Sequence, residues 1–297
     1  MSQKMIISEP PLPALKMPLP GMAKVDRLGW VAGFSLRAFG VDIGIRSNDP
    51  ETLHRVAEHL PPYWERINTP AVDRVYSILH RNGSGEGSRR QSTVYTNADR
   101  LLRSDNLNEL FEAFESNVRM FVAEFAKDRV FVHAGVVGWS GQAIVVPGRS
   151  FSGKSTLVAA LVRAGATYYS DEYAVIDASG RVHPYFKPIE LRAEGTNKQS
   201  KFDVSSLGGH EGTESLPVGL VLITKYKPDA TWRPRKLTSG KAVLELLNNT
   251  VSARRDPEAA LNALRHVVAS ADVVKGVRGE AEQTAPLILR KLDRRTF

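Results

Sequence analysis

The apolar positions between residues 106 and 126 recur at steps of three and four. This spacing lines them along one face of an α-helix and predicts the longest helix of the chain. The apolar positions are Leu107, Leu110, Phe111, Phe114, Val118, Phe121, Val122 and Phe125. Aromatic side chains in such a stripe belong to a packed core far more often than to a cofactor site, so we interpret the stripe as core.

Runs of alternating or continuous apolar residues predict strands before and after this helix. The predicted strands cover residues 34–41, 75–79, 92–96, 130–137, 142–146 and 217–224. Residues 82–87 are rich in glycine without the spacing of a phosphate loop and predict a hairpin loop, and residues 138–141 predict a turn. Further helices are predicted after Asp49 and Asp256, each followed by a proline that suits the first helical turn, and over residues 241–248.

Composition and motif distribution predict three parts of the chain. Residues 1–24 contain five prolines, which interrupt helices and central strands, and they predict an extended, weakly ordered arm. Residues 25–126 predict a smaller α+β region, and residues 127–297 predict an α/β domain that ends in helices. Within that domain, residues 195–216 are poor in apolar side chains and predict a long exposed loop, which is either a lid or ligand-binding element or a disordered segment.

The composition excludes several classes of protein. With 42% hydrophobic and 24% charged residues, the chain is too apolar to be disordered as a whole. No apolar run approaches the roughly 18 residues needed to cross a bilayer, so we expect no membrane span. The N-terminal residues lack the apolar segment of a secretory signal, and the absence of cysteine excludes disulfides and thiolate metal sites. Both features predict a cytoplasmic protein.

The net charge of +8 suits an anionic partner, although it does not identify the anion. The basic residues are scattered, and their clusters at residues 89–90 and 290–295 lack interleaved aromatic residues or any nucleic-acid-binding signature. We therefore interpret them as a solvated basic surface. A nucleic-acid-binding protein stays as an alternative, and it predicts binding that weakens steeply with salt and does not need Lys154.

Residues 148–155 match the phosphate-loop pattern of glycine, four residues, glycine, lysine, and serine or threonine. A predicted strand leads into the pattern, and residues 156–164 predict a helix after it, with Gly165 as a left-handed cap. Backbone N–H groups and the helix N-terminus would bind a polyphosphate, Lys154 would reach the β- and γ-phosphates, and the Ser155 hydroxyl would bind Mg²⁺. The alternative is a plain glycine-rich turn. The residues predicted to contact ATP are Gly148, Arg149, Ser150, Phe151, Ser152, Gly153, Lys154, Ser155 and Thr156.

Two adjacent acids, Asp171 and Glu172, follow a short β-rich run just after the predicted helix. Transfer of a phosphoryl group needs carboxylates near the metal and a base for the proton of an alcohol acceptor. Because neighbouring side chains on an extended chain point to opposite sides, the two acids are expected to have different roles. The alternative is that both lie in an exposed turn.

Residues 130–192 resemble the catalytic domain of HPr kinase/phosphorylase and its related kinases, a family that shares its nucleotide-binding core with phosphoenolpyruvate carboxykinase. The resemblance is carried by four segments in this order: His133-Ala134-Gly135-Val136, residues 148–155, Ser170-Asp171-Glu172, and Pro188-Ile189-Glu190-Leu191-Arg192. It implies an α/β fold whose mixed sheet core contains the phosphate loop, preceded by the smaller α+β region.

The resemblance also implies roles for individual residues. Asp171 would take the acceptor proton, Glu172 would help to organise the site, and His133 would lie near both acids. Glu190 would contribute to the Mg²⁺ site together with Ser155. Without the resemblance, His133 reads as a buried histidine bonded to a backbone carbonyl, and Glu190 as a polar strand residue.

Two departures concern the acceptor. Enzymes of the family that modify HPr usually have two aspartates in place of Asp171-Glu172, and the glycine-rich continuation of their signature is reduced here to Ala193-Glu194-Gly195. HPr itself is therefore not the expected acceptor. Residues 233–236 could supply an arginine to the transferring phosphate, although a solvated loop is the preferred interpretation.

The resulting hypothesis is an ATP- and Mg²⁺-dependent kinase that transfers the γ-phosphoryl group to a hydroxyl, such as the serine of a protein, a peptide or a small metabolite. The alternative is an ATP-binding regulatory protein that hydrolyses ATP slowly or not at all. The sequence leaves open the identity of the acceptor and the oligomeric state, with a homo-oligomer as one option.

Overall fold

The computed structural model describes residues 11–81, 91–148, 152–192 and 199–296. The chain is a mixed α/β protein whose internal contacts separate two compact units, Met1–Lys127 and Asp128–Phe297. Parts of several predicted segments lie outside the described residues: residues 1–10 of the proline-rich arm, the predicted hairpin loop at 82–87, the basic pair at 89–90, residues 149–151 of the glycine pattern, and residues 193–198, which include the start of the predicted loop 195–216. None of the helices in the described ranges has the length and apolar character required to cross a membrane.

The first unit is built on a sheet in which the strands lie in the order β4-β2-β3-β6-β7-β8, while β1 pairs separately with β5. Its elements are β1 Ala14–Leu15, α1 Met22–Asp26, β2 Ala32–Ala38, β3 Val41–Ser47, α2 Pro50–Val56, β4 Glu65–Ile67, β5 Ala71–Val72, β6 Arg74–Leu79, β7 Ser92–Thr96, β8 Asp99–Ser104 and α3 Leu107–Phe125.

The long amphipathic helix predicted from the apolar stripe is confirmed as α3. The Asn106 side chain accepts a hydrogen bond from the Asn108 N–H and caps the helix. Phe111 and Phe114 are buried, and the Phe114 ring meets the Tyr76 ring edge-on with centroids 5.1 Å apart. Burial of each such ring stabilises the fold by roughly 2–3 kcal/mol, so the stripe is core.

Two predictions for the first unit are corrected. The strand predicted over residues 34–41 is two antiparallel strands, because Phe39 and Gly40 both take positive φ angles, 49° and 78°, and turn the chain between β2 and β3. The described part of the arm, residues 11–24, is not merely extended. Ala14 pairs in parallel with Ala71, so neighbouring backbone holds the proline-rich segment in place.

The second unit is built on a mixed sheet with the order β10-β9-β12-β13-β16-β18-β17, in which β11 also pairs with β9 and β10 also pairs with β16. Its elements are β9 Val130–Trp139, β10 Gln142–Pro147, α4 Lys154–Arg163, β11 Thr167–Ser170, β12 Tyr173–Ile176, β13 Arg181–His183, β14 Ile189–Arg192, β15 Gln199–Phe202, β16 Leu216–Tyr226, β17 Arg235–Lys236, α5 Ser239–Leu247, α6 Pro257–Ser270, β18 Asp272–Arg278 and α7 Ala281–Thr296.

The strands β10, β16 and β18 run in the same direction. Their carboxyl ends therefore meet at one edge of the sheet, which is where ligands bind in many α/β folds. The glycine-rich loop, defined as residues 148–153, follows β10 at this edge, and Tyr226 and Arg278 end the other two strands there. Leu157 and Leu161 of α4 are buried in one core cluster with Ile288 of α7, so helix α4 is fixed behind the loop.

Three predictions for the second unit are corrected. The turn predicted over residues 138–141 is only Ser140-Gly141, because Gly138 and Trp139 continue β9 and pair with β10. The predicted loop 195–216 contains β15, which pairs with β14, and a 3-10 turn at Val204–Leu207. The predicted helical C-terminal region contains strand β18, because the parallel partner β16 satisfies its backbone groups.

Candidate functional site

Two glycines constrain the described ends of the glycine-rich loop. A Cβ on Gly148 would lie 2.6 Å from the Ser152 Oγ, and Gly153 adopts a left-handed φ of 78°. Helix α4 starts at Lys154, two positions earlier than the predicted residue 156, so Ser155 and Thr156 lie in its first turn. No side chain caps this turn, and the N–H groups at its start lack intrahelical acceptors. The loop end of α4 thus has the geometry of an anion-binding site.

The Lys154 side chain is buried, with 8% of its surface exposed. Burial lowers the pKa of its ammonium, whereas the charges of Asp171 and Glu172 raise it. The cation is therefore directed inward among carboxylates rather than into bulk solvent. Of the residues predicted to contact a phosphate, Arg149, Ser150 and Phe151 lie outside the described residues.

Helix α4 and Asp171 both approach strand β9 at Gly135. A Cβ on this glycine would lie 2.4 Å from Val158 Cγ2, 3.2 Å from Lys154 Cγ and 3.7 Å from Asp171 Oδ1. Any larger residue would push α4 away from β9. The bare backbone at Gly135 therefore allows Lys154 and Asp171 to approach each other.

Asp171 is a buried carboxyl group in contact with this cluster. Only 9% of its surface is exposed, and its Oδ1 has no hydrogen-bond partner among the described residues. Burial raises the pKa of Asp171 to about 6, against the lowering effects of the Ser155 hydroxyl hydrogen bond and of the Lys154 and Lys187 charges. A carboxylate with this pKa is ionised near neutral pH and still able to take up a proton. Asp171 is not in an exposed turn, so that alternative is excluded.

His133 is held beside the same acids. Its Nδ1 donates a hydrogen bond of 2.8 Å to the Glu172 carbonyl, and its own carbonyl accepts a bond of 3.1 Å from the Gly148 N–H. Burial, and then the Lys154 charge, lowers the pKa of the imidazole. His133 thus bonds to a backbone carbonyl, as its strand position alone suggested. It also lies near the two acids, as the resemblance implied.

Glu172 and Glu190 come together around a cation that the sequence analysis missed. The Lys187 Nζ lies 3.6 Å from Glu172 Oε2 and 3.3 Å from Glu190 Oε1. Glu190 also acts electrostatically on Asp171, so the residues predicted for the metal and for the proton belong to one cluster. The available signal for Lys187 was its position in the same segment, three residues before Glu190.

Arg278 is a second residue that the sequence analysis missed. It is 2% exposed, and its Nη2 donates a 2.7 Å hydrogen bond to the carbonyl of Gly153. Its guanidinium also lies 5.5 Å from the centre of the Tyr226 ring. A Cβ on Gly153 would lie 2.8 Å from Nη2, so the left-handed glycine and the arginine fit each other. The arginines at 233 and 235, considered as a candidate finger, are exposed.

The donor set of the cluster fits a magnesium ion that is shared with a phosphate. Within the described ranges, no group of three or more His, Asp or Glu side chains could hold a metal by itself. Mg²⁺ commonly uses one or two protein oxygens and completes its shell with water and substrate phosphates. The Ser155 hydroxyl and the Glu190 carboxylate, which both act on Asp171, are oxygen donors of this kind.

Comparison with protein-family models found no family that matches the chain, and comparison with curated proteins found no match.

Proposed function

We propose that the protein is an ATP- and Mg²⁺-dependent kinase, related to the HPr kinases, that transfers the γ-phosphoryl group of ATP to a hydroxyl. The observation that carries this proposal is the meeting of Lys154 and the buried, unpartnered Oδ1 of Asp171 over Gly135. This arrangement supports roles for Lys154 as a phosphate-binding cation and for Asp171 as a base for an alcohol within one site.

The nucleotide part of the proposal rests on the start of α4. Uncapped N–H groups and the positive end of the helix favour a polyphosphate there, and Lys154 adds a full positive charge. Arg278 supports the loop from behind through the Gly153 carbonyl. When bound, Mg²⁺ would neutralise phosphate charge, with Ser155 and Glu190 as its protein ligands.

The chemistry we infer is a direct displacement. The acceptor oxygen attacks the γ-phosphorus, the bond from that phosphorus to the bridging oxygen breaks, and ADP leaves with the electron pair. The acceptor proton passes to Asp171 and from there to solvent. A pKa of about 6 suits this role, because the carboxylate is ionised at neutral pH yet more basic than an ordinary aspartate.

The test separates nucleotide binding from phosphoryl transfer in the variant Asp171→Asn. ATP affinity is measured by calorimetry, and transfer is followed as ³²P from γ-labelled ATP into acceptors supplied by lysate fractions. We expect affinity to change little and transfer to fall by on the order of 10² or more, because the loss arises in the transition state. The exposed Asp229, also changed to Asn, is the matched control and should transfer like the wild type.

Equal transfer by Asp171→Asn and the wild type would remove Asp171 from the reaction. If the wild type binds ATP through Lys154 but labels nothing in any fraction, the ATP-binding regulator becomes the better description. Steep salt dependence of a nucleic-acid complex that survives Lys154→Ala would favour the third alternative.

A further inference from the structure

A cavity of about 550 Å³ adjoins the carboxylate cluster. It is lined by three segments, Phe186-Lys187-Pro188, Asp203-Val204-Ser205 and Gly209-His210-Glu211. Lys187 belongs to both places, because it lines the cavity and its Nζ contacts the carboxylates of Glu172 and Glu190. Lys187 therefore links the cavity to the carboxylates of Glu172 and Glu190.

Two walls of the cavity are attached to the same buried residue, Tyr168. Its hydroxyl donates a 2.6 Å hydrogen bond to the carbonyl of Lys187. Its backbone N–H donates to the His210 carbonyl at 2.9 Å, and its carbonyl accepts from the Gly212 N–H at 2.9 Å. Tyr168 precedes Asp171 by three residues on the same stretch of chain. The two walls are thus fixed relative to the proposed base.

The third wall is anchored by apolar packing and one further backbone bond. Val204 is buried, with 5% of its surface exposed, and its carbonyl accepts a 3.1 Å hydrogen bond from the Gly209 N–H. A Cβ on Gly209 would lie 2.3 Å from Val162 Cγ1 of α4, so only glycine allows the Gly209-His210-Glu211 wall to pack on the helix. The cavity is pre-formed, which lowers the entropic cost of binding a small guest.

The charges around the cavity select for a cationic guest. Asp203 and Glu211 are exposed acids of its lining. Burial, and then the charges of Asp171 and Glu211, raises the pKa of the Tyr168 hydroxyl. The one lysine of the lining, Lys187, is already within ion-pair distance of two carboxylates. A guest with an ammonium group would meet the carboxylates of Asp203 and Glu211 here. An anionic guest would find that Lys187 is already paired with Glu172 and Glu190.

We propose that this cavity binds the phosphoryl acceptor, and that the acceptor is a small compound that carries both a hydroxyl and an ammonium group. This inference rests on the proposed kinase function and adds the substrate class. The ammonium group faces Asp203 and Glu211, and the hydroxyl lies toward Lys187, the lining residue whose Nζ contacts Glu172 and Glu190.

The test uses L-serinamide and glyceramide, which share the carbon chain, the amide and the primary hydroxyl and differ in the ammonium group. Each is titrated calorimetrically into the full chain with Mg²⁺ and a non-hydrolysable ATP analogue, and each is offered as acceptor with γ-labelled ATP. We expect serinamide to bind and to be labelled about tenfold better than glyceramide. The double variant Asp203→Asn, Glu211→Gln should abolish the preference and leave ATP affinity unchanged.

The matched control is Glu214→Gln, which changes an exposed acid of the same segment outside the cavity lining and should keep the preference. Equal binding of the two compounds, no binding of serinamide at millimolar concentration, or a preference that survives the double variant would overturn the cavity proposal. A failure of the kinase itself would appear differently, either as ATP binding that does not depend on Lys154 or as no labelled acceptor in any lysate fraction.

Discussion

The buried Asp171 carboxyl should make the wild-type protein less stable as the pH rises, and Asp171→Asn should remove that loss. Burial raises the folded-state pKa to about 6 from an ordinary 3.8. Below pH 3.8 the carboxyl group is protonated in both the folded and the unfolded state, and it does not lower the free energy of unfolding. Above the higher value it is ionised in both, and the folded state carries the full cost of a buried charge.

The magnitude follows from these two values. A tenfold change in an ionisation equilibrium corresponds to about 1.4 kcal/mol, so the ionised carboxylate lowers the free energy of unfolding by about 3 kcal/mol above pH 6. Part of this penalty is already present near pH 4.5, where the unfolded chain has lost most of the proton. Between pH 4.5 and pH 8, the stability difference between Asp171→Asn and the wild type should therefore grow by about 2 kcal/mol.

The assay is urea unfolding without nucleotide at several pH values. Because the chain has two units, fluorescence is recorded in a Trp30→Phe, Trp64→Phe background that keeps only Trp139 and Trp232 of the second unit. Comparing the same pair of proteins at each pH cancels the pH-independent effects of the amide. The exposed Asp229→Asn is the control, and its difference from the wild type should not grow in this way.

A difference between Asp171→Asn and the wild type that stays constant from pH 4.5 to pH 8 would refute the reasoning. It would mean that the carboxyl group ionises equally in the folded and unfolded chains and is not held in a low-dielectric site. A growth of the expected size, combined with lost phosphoryl transfer, would identify Asp171 as a group kept for function at the expense of stability.

Three further predictions concern the same site. Lys154→Ala should weaken ATP binding or turnover severely while thermal unfolding without nucleotide stays cooperative, and unchanged calorimetric affinity and turnover would contradict the proposal. Glu190→Gln keeps the shape and removes the charge, so the Mg²⁺ concentration needed for half-maximal transfer should rise several-fold; an identical magnesium titration would place Glu190 outside the metal site. Arg278→Met removes the donor to the Gly153 carbonyl and should lower ATP affinity about tenfold, with Arg278→Lys in between, whereas equal affinity of all three proteins would mean that the arginine is only packed there.

The sequence by itself determined the elements whose signals are local. The helical spacing before residue 126 predicted α3. The aspartates at 49 and 256 predicted the starts of two helices, and this signal is local because each side chain accepts hydrogen bonds from N–H groups within three residues. The glycine pattern at 148–155 predicted the helix that begins at Lys154. This signal is also local, because the spacing of the glycines constrains only the neighbouring backbone.

Only the tertiary structure decided which distant residues share the site. Lys187 and Arg278 carry no motif, and each matters because the fold brings it to Glu172 or to Gly153, 125 residues away in the second case. Strand β18 was missed because its stability comes from pairing with β16 rather than from its own pattern. The raised pKa of Asp171 likewise depends on α4 packing over Gly135, a contact between segments. Burial and long-range pairing are properties of the assembled chain, and no local window of sequence contains them.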